Sequence, residues 1–353
     1  MKLLRTLILL LVIFEFISNE IIDLNGQDGC YKVEIVNSYD NTDELSIKFP
    51  VINPTQVDPG LEKNIHNRLL TGFENWNKGY CAWKAWGTIL YTKDSIYNVH
   101  GARLTLKEYQ LAMNAALKQI DIQLGDFYNM IICGEWTAIY YNTLNKIGDS
   151  AVSSTVMEFV KFKDYGGDLG TRVVEGWGGT KNNDYDDMLK LQTEEERKKE
   201  EEQLNYMLNY EIPDTEDLKE KYPVLNPTEG KGTLVKEILE LILKGFDSWN
   251  NGIDAWMKWL SQGYSEDAQS TGLDHEKRTM SEYKAAMKAL AKKENIKKLY
   301  FDNILINNDW AAIHYRFNNE NLKTGEKTAG DRMQFLKFIE TDNGLKIAGS
   351  WIQ

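Results

Sequence analysis

The chain has 353 residues, of which 42% are hydrophobic and 27% charged, proportions that exclude a largely disordered or fibrous protein. Its 41 basic and 53 acidic residues give a net charge of −12, which disfavours binding to nucleic acid or to an anionic membrane surface. The length is typical of about two domains. Nucleotide-binding glycine motifs, HExxH and CxxC are absent from the sequence, so no cofactor is expected.

The first 26 residues are typical of an export signal. Lys2 and Arg5 precede an apolar run over residues 7–14, which has the length of a signal-peptide core and is short for a membrane span. We therefore expect an exported protein, periplasmic or secreted, whose mature chain does not insert into a membrane. An uncleaved anchor is the alternative, and lipidation at Cys30 is another.

The three cysteines show no metal-ligand spacing. An exported protein can form disulfides, but an odd number of cysteines leaves at least one thiol unpaired. Cys81 lies in a helical pattern and Cys133 in a strand pattern, so we expect both to be small core residues.

The chain repeats itself once. Residues 49–55 (FPVINPT) recur as residues 222–228 (YPVLNPT), an offset of 173, and residues 72–77 recur as 245–250. The tryptophans follow the same order in both copies, which indicates a tandem duplication. We predict a signal peptide over residues 1–26, repeat 1 over 27–185, a charged helical linker over 186–221 and repeat 2 over 222–353.

In each copy, helical periodicity comes before strand alternation. Repeat 1 has strand patterns near residues 129–133, 137–143, 155–163 and 172–177. In repeat 2, a helical pattern over residues 234–249 is followed by a short one containing Trp256 and Trp259 and by a third that Thr279 or Ser281 caps. Strand patterns follow around residues 310–317, 333–339 and 345–351. Helices followed by an antiparallel sheet indicate an α+β fold.

This order resembles the NTF2-like superfamily and, within it, the SnoaL-like polyketide cyclase domains. The resemblance is carried by residues 245–250 (GFDSWN), residues 308–317 (NDWAAIHYRF), a turn at Thr324-Gly325 and residues 335–351. It implies two tandem cones, in each of which a bent sheet wraps a long helix and encloses a pocket. It also implies that the repeats pair through their sheets as an intramolecular pseudo-dimer. Such domains include enzymes and binding modules, so the fold leaves the function open.

The resemblance implies that catalytic sites of this kind transfer a proton next to a carbonyl, which needs an acid–base group and an oxyanion donor. His314 is the candidate base, with Asp331 either orienting it or acting as the base. If the strand face of His314 is the concave one, His314 and its duplicate Tyr140 occupy equivalent positions in two pockets. Candidate ligand-binding residues are Tyr140, Trp136 and Glu158 in repeat 1, and Trp310, Arg316 and Gln334 in repeat 2.

Each candidate also has a structural interpretation, because a strand histidine or a duplicated tryptophan can simply pack in the core. The four histidines show no paired spacing, so no metal site is expected. Two functions remain. The first is a non-catalytic protein that binds a small apolar ligand or a partner, which we prefer because the two copies share no acid–base set. The alternative is a cyclase- or isomerase-like enzyme that acts in repeat 2.

Overall fold

The computed structural model describes residues 42–48, 51–53, 59–99, 102–117, 120–148, 150–167, 170–178, 224–226, 234–272 and 276–353. The chain divides into two compact units, Met1–Thr193 and Glu194–Gln353. The predicted export signal, Cys30 and the charged linker lie outside the described residues. Within the described ranges, every helix is too short or too polar to cross a membrane.

Repeat 1 opens with helices that alternate with short strands and ends in four long strands. Its helices are α1 (Thr42–Lys48), α2 (Leu61–Asn77), α3 (Tyr80–Leu90) and α4 (Leu106–Leu117). Its strands are β1 (Val51–Asn53), β2 (Tyr91–Val99), β3 (Ala102–Thr105), β4 (Asp121–Cys133), β5 (Trp136–Ile147), β6 (Ser150–Asp164) and β7 (Thr171–Gly178).

Repeat 2 follows the same plan. Its helices are α5 (Val235–Asn250), α6 (Ile253–Gly263) and α7 (Met280–Leu290). Its strands are β8 (Val224–Asn226), β9 (Tyr264–Thr271), β10 (Lys277–Thr279), β11 (Glu294–Asn307), β12 (Trp310–Asn321), β13 (Lys327–Thr341) and β14 (Gly344–Ile352).

The two sheets share one topology. Their strand orders are β1-β4-β5-β6-β7-β2-β3 and β8-β11-β12-β13-β14-β9-β10. The four long strands of each sheet pair antiparallel, while β1 on β4, β2 on β7 and their counterparts pair parallel. The predicted α+β units, with helices before the sheet, are confirmed. Each sheet is mixed rather than wholly antiparallel, because strands connected through helices can run parallel.

The long helix of each repeat packs on one face of its sheet. In repeat 2, Ile242 and Phe246 lie on one side of α5 and pack in the core with Ile313 and Tyr315 of β12. The Phe246 and Tyr315 rings meet edge to face, with centroids 4.8 Å apart. We call this face of each sheet the helix side. Because side chains alternate along a strand, His314 lies on the opposite face, which we call the far face.

An asparagine at the end of each long helix makes two hydrogen bonds to the backbone of one sheet residue, an arrangement that we call the asparagine clamp. In repeat 1, Asn77 Nδ2 donates to the carbonyl of Leu124 and Asn77 Oδ1 accepts from its N–H, both at 2.7 Å. Asn250 makes the same two hydrogen bonds to Lys298, at 2.8 and 2.9 Å. Leu124 and Lys298 therefore occupy equivalent positions in the two repeats.

The prediction for one cysteine is wrong. Cys81, near the start of α3, is disulfide-bonded and partly exposed rather than a small core residue, and its partner lies outside the described residues. Cys81 is only partly buried, so its sulfur can be reached by another segment of the chain. Cys133 is a reduced, buried thiol, as the odd number of cysteines predicts.

Candidate functional site

The structure brings His314 and Asp331 together on the far face of repeat 2. His314 Nε2 lies 2.7 Å from Asp331 Oδ2, and both side chains are buried. Asp331 of β13 lies directly opposite Arg316 of β12. Arg316 is two residues from His314 and points to the same face, so Asp331 is a diagonal neighbour of His314 and the two side chains meet. The predicted partners therefore meet, although they lie away from the helices.

Arg316 and Asp302 complete a charged network around this pair. Arg316 Nε donates to the Asp302 carboxylate, and Arg316 Nη1 lies 3.9 Å from Asp331 Oδ1. His314 Nε2 is 3.6 Å from Asp302 Oδ2. Burial raises the pKa of Asp331, but the Arg316 charge and the hydrogen bond from His314 hold it well below its usual range. Asp331 is therefore an ionised acceptor, which suits a structural network better than proton transfer.

The predicted tryptophans also lie on the far face, where they stack on other tryptophans. Trp136 stacks on Trp177 with ring centroids 5.2 Å apart, and Trp310 meets Trp351 at 5.4 Å. All four residues belong to strands, and Trp136 and Trp310 are buried. These contacts favour packing over ligand stacking.

Tyr140 shares the far-face position of His314. Each lies opposite an asparagine of the preceding strand, Asn129 for Tyr140 and Asn303 for His314. Burial raises the pKa of Tyr140 to about 12, so its hydroxyl stays protonated at neutral pH. Tyr140 and His314 are equivalent, as predicted. The prediction that they lie in two pockets required their face of the sheet to be the one toward the helices, and they lie on the far face instead.

Two predicted residues do lie on the helix side. Glu158 of β6 is opposite Ile139, and Gln334 of β13 is opposite Ile313. Both isoleucines belong to the cores that pack against the helices. Glu158 and Gln334 therefore occupy one equivalent position in the interior of each repeat, the region between its helices and its sheet.

Tyrosine hydroxyls hold the Glu158 carboxyl in repeat 1. The Tyr141 hydroxyl donates to Glu158 Oε1 at 2.9 Å, and the Tyr97 hydroxyl also donates to this carboxyl. Burial raises the pKa of Glu158, and the two hydrogen bonds offset only part of that shift. Glu158 as a whole nevertheless remains partly exposed, although its carboxyl lies among these tyrosines.

A second layer of tyrosine supports this arrangement. The Tyr109 ring of α4 stacks on the Tyr97 ring with centroids 4.2 Å apart, and a hydrogen bond joins their hydroxyls. Burial raises the pKa of both tyrosines well above the usual value. Their hydroxyls therefore remain proton donors, and the stacking fixes the direction in which Tyr97 points.

Gly176 makes the room that Tyr97 needs. A Cβ atom on Gly176 would lie 2.3 Å from Cε2 of the Tyr97 ring, a distance that carbon atoms do not reach without displacement. At the equivalent pair of repeat 2, Ser270 and Ser350 share a hydrogen bond of 3.0 Å between their hydroxyls. The tyrosine and the glycine thus form a matched pair found in repeat 1 alone.

Replacing Gly176 with alanine is expected to displace Tyr97 and to lower the free energy of unfolding by about 1–3 kcal/mol, because the added methyl group overpacks the ring. Urea denaturation of the full chain measures the change. The control is Gly178→Ala, since a Cβ there would lie 3.5 Å from both Glu158 Oε1 and Tyr97 Cε1, which is ordinary contact. Equal losses in the two variants would contradict the matched pair.

The interior of repeat 2 carries a cation that sequence analysis missed. The Lys298 ammonium lies over the ring faces of four aromatic residues, at 4.3–5.3 Å from their centroids. Burial lowers its pKa from 10.5 to about 7. Aligning the repeats supplies the missed signal, because Lys298 takes the position of Leu124.

No cluster of metal-ligating side chains occurs in the part of the chain that the structure describes. The polar groups of the two interiors include Glu158 with its tyrosines in repeat 1, and Lys298, Arg332 and Gln334 in repeat 2. Side chains of these types can exchange protons or bind polar groups of small molecules.

The chain is similar in fold to solved NTF2-like structures. A ketosteroid isomerase-like protein from Erwinia carotovora atroseptica is 13% identical over 35% of this chain and 96% of its own, with a TM-score of 0.29. A Jannaschia protein classed with SnoaL-like polyketide cyclases is 14% identical over 35% and 88%, with a TM-score of 0.29. An NTF2-like protein from Shewanella oneidensis is 19% identical over 34% and 98%, with a TM-score of 0.26. The predicted similarity is confirmed, and it concerns the fold alone.

No protein-family model matches the sequence, and no curated protein matches it.

Proposed function

We propose that the protein binds a small apolar ligand with a hydroxyl or carbonyl group in the interior of repeat 1, where Glu158 contacts that group. The observation that carries the proposal is a partly exposed glutamate whose carboxyl is held by the Tyr97 and Tyr141 hydroxyls within an aromatic core. Small-molecule sites are mostly apolar, with a few placed polar groups that fix the ligand's orientation.

The protonation of Glu158 defines which ligand group fits. Because its pKa is raised, more of the carboxyl is protonated at a given pH than in an ordinary glutamate. A protonated carboxyl donates to a carbonyl oxygen, and an ionised one accepts from a hydroxyl. A carboxylate ligand is disfavoured at this position, since it would repel the ionised form of Glu158.

We also propose that the protein acts outside the cytoplasm, in the periplasm or after secretion. The basic residues and apolar run of the first 26 residues support export. The disulfide at Cys81 adds support, because disulfides persist mainly in oxidising compartments.

The alternative function, acid–base catalysis by His314 and Asp331 in repeat 2, has less support. Both residues lie on the far face, and Arg316 holds Asp331 in its ionised state. A base already committed to an ion pair is a poor proton acceptor near neutral pH.

Naphthalenemethanol, an apolar compound with one hydroxyl group, tests the ligand proposal. Isothermal titration of the full chain is expected to show binding that Glu158→Leu weakens about tenfold, because a hydrogen bond to a polar ligand group contributes about 1.4 kcal/mol. Glu158→Gln is expected to keep most of the affinity, since an amide both donates and accepts. The matched control is Gln334→Leu, which makes the same change in size at the equivalent position of repeat 2.

Equal affinity in the wild type and Glu158→Leu would overturn the proposal, as would the absence of binding to the wild type. A loss in Gln334→Leu but not in Glu158→Leu would move the site to repeat 2.

A further inference from the structure

The interiors of the two repeats differ in charge at equivalent positions of the two strands that flank β5 in repeat 1 and β12 in repeat 2. The equivalent pairs, with repeat 1 first, are Leu124 and Lys298, Val156 and Arg332, and Glu158 and Gln334. At each of these positions repeat 2 carries one more positive or one fewer negative group. At these three strand positions the interior has therefore diverged toward positive charge in repeat 2.

Lys298 is the centre of this difference. It is 92% buried, since only 8% of its surface is exposed, and its ammonium faces Phe246, Trp249, Trp256 and Tyr315. Within the described part of the chain, its Nζ has no hydrogen-bond acceptor and no carboxylate partner. Burying an ammonium without such a partner is unfavourable, even where aromatic faces supply part of the compensation.

The fold does not require a lysine at this position. The Asn250 clamp uses only the backbone of Lys298, and repeat 1 makes the same clamp around Leu124. A leucine therefore serves the strand and the helix contact equally well. An unfavourable group that the fold does not need is typical of a functional site.

Arg332 adds a second cation on the same side of the sheet. It lies opposite Tyr315, and its guanidinium is 4.7 Å from the centroid of the Phe317 ring. Burial raises the pKa of the Tyr315 hydroxyl to about 12, and the positive charge of Arg332 opposes part of that rise. Tyr315 is thus flanked by both cations, since the Lys298 ammonium lies 5.3 Å from its ring centroid.

We propose that the interior of repeat 2 binds an apolar ligand with a carboxylate group, and that Lys298 and Arg332 bind the carboxylate. The apolar part of the ligand would contact the aromatic side chains around Lys298, while the Tyr315 hydroxyl donates a further hydrogen bond. This ligand class differs from that of repeat 1, where Glu158 opposes a carboxylate.

The pH dependence of this site comes from Lys298. The side chains of α5 and α6 that contact the Lys298 ammonium are Phe246, Trp249 and Trp256, which do not titrate. On other elements, the Tyr315 ring lies beside the ammonium, and Arg332, Tyr264 and Tyr283 interact with Tyr315. Burial raises the pKa of the three tyrosines, and Arg332 remains charged at neutral pH. Lys298 is therefore the group of this set that changes charge near neutral pH.

Naphthoate, the carboxylate counterpart of the alcohol probe, tests this site by isothermal titration of the full chain. Wild-type affinity is expected to fall as the pH rises from about 6 to about 9, because the ammonium loses its proton. Lys298→Leu, which restores the residue of repeat 1, is expected to weaken binding at least tenfold near pH 6 and to remove the pH dependence. Arg332→Val, which introduces the residue that repeat 1 carries at Val156, is expected to weaken binding without removing it.

The control for charge is Lys288→Leu, which removes an exposed lysine of α7 and is expected to leave the affinity unchanged. The proposal is overturned if naphthoate does not bind, if it binds the wild type and Lys298→Leu equally, or if Lys288→Leu has the same effect as Lys298→Leu. Failure of the repeat 1 site leaves this result unaffected, because that test uses Glu158 and a neutral probe.

Discussion

Replacing Asp331 with asparagine is expected to lower the free energy of unfolding by about 3 kcal/mol, because it breaks a buried ion-pair network and leaves Arg316 with less compensation. Asp331 is 94% buried and lies 2.7 Å from His314 Nε2. The amide keeps the shape of the carboxylate but not its charge. Urea denaturation of the full chain at neutral pH measures the loss.

The pH profile of the same variant tests the electrostatic origin of the loss. The folded pKa of Asp331 lies well below its unfolded value, so its contribution is complete above about pH 4 and is lost as the pH falls further. The difference between wild type and variant should therefore shrink in acid. Asp309→Asn is the control, because Asp309 pairs with Lys337 but is 44% exposed, and it should cost less than about 1 kcal/mol. Equal losses in the two variants would contradict the network.

Replacing Lys298 with leucine is expected to have the opposite effect and to raise the free energy of unfolding by about 4 kcal/mol near pH 7, the order of magnitude set by its pKa shift. The variant removes an ammonium that burial destabilises and introduces the residue that repeat 1 carries at Leu124. Lys288→Leu, which changes an exposed lysine, should alter the stability by less than about 0.5 kcal/mol.

The pH dependence again has a definite sign. The pKa of Lys298 is about 7 in the folded chain and 10.5 when unperturbed, so between these values the unfolded chain binds more protons. Wild-type stability should therefore rise with pH through this window relative to Lys298→Leu, and the advantage of the variant should shrink toward pH 10.5. A variant that is less stable than the wild type at neutral pH would show that the lysine is a structural residue.

Much of the fold could be predicted from the sequence, because the duplication supplies two sequences for each helix and strand. The helix over residues 234–249 is observed as Val235–Asn250, and Thr279, one of the two proposed caps, accepts a hydrogen bond from the Glu282 N–H at the start of α7. The sequence patterns do not predict strands β1 to β3 and their counterparts, nor β11 of repeat 2. Of these, β1, β2, β8 and β9 pair in parallel with strands that are distant in sequence, which local periodicity does not reveal.

The sequence could not predict which face of the sheet packs against the helices. That face determines which residues lie in the interior, and therefore where the candidate site lies. In β12, both Ala312 on the far face and Ile313 on the helix side are at most 1% exposed. When both faces of a strand are buried, alternation separates the faces but does not say which one meets the helices. The sequence therefore predicted the His314–Asp331 contact, but its functional interpretation assumed the other face.

The residues of the interiors were partly predictable. Glu158 and Gln334 are among the candidates that the sequence predicts, but Lys298 and Tyr97 are not. Their environment depends on the Asn250 clamp and on the space beside Gly176, and both arise only when distant strands meet. A comparison of charge between the aligned repeats finds Lys298 from sequence alone.

A crossed titration tests most directly whether the repeats are two ligand sites of different chemistry. Naphthalenemethanol and naphthoate are each titrated into the wild type, Glu158→Leu and Lys298→Leu, with the folding of every variant checked by circular dichroism. We predict that Glu158→Leu weakens binding of the alcohol and leaves naphthoate unaffected, whereas Lys298→Leu does the reverse. If both variants bind both probes as the wild type does, neither interior is the ligand site, and the charges of Glu158 and Lys298 have no role in recognition.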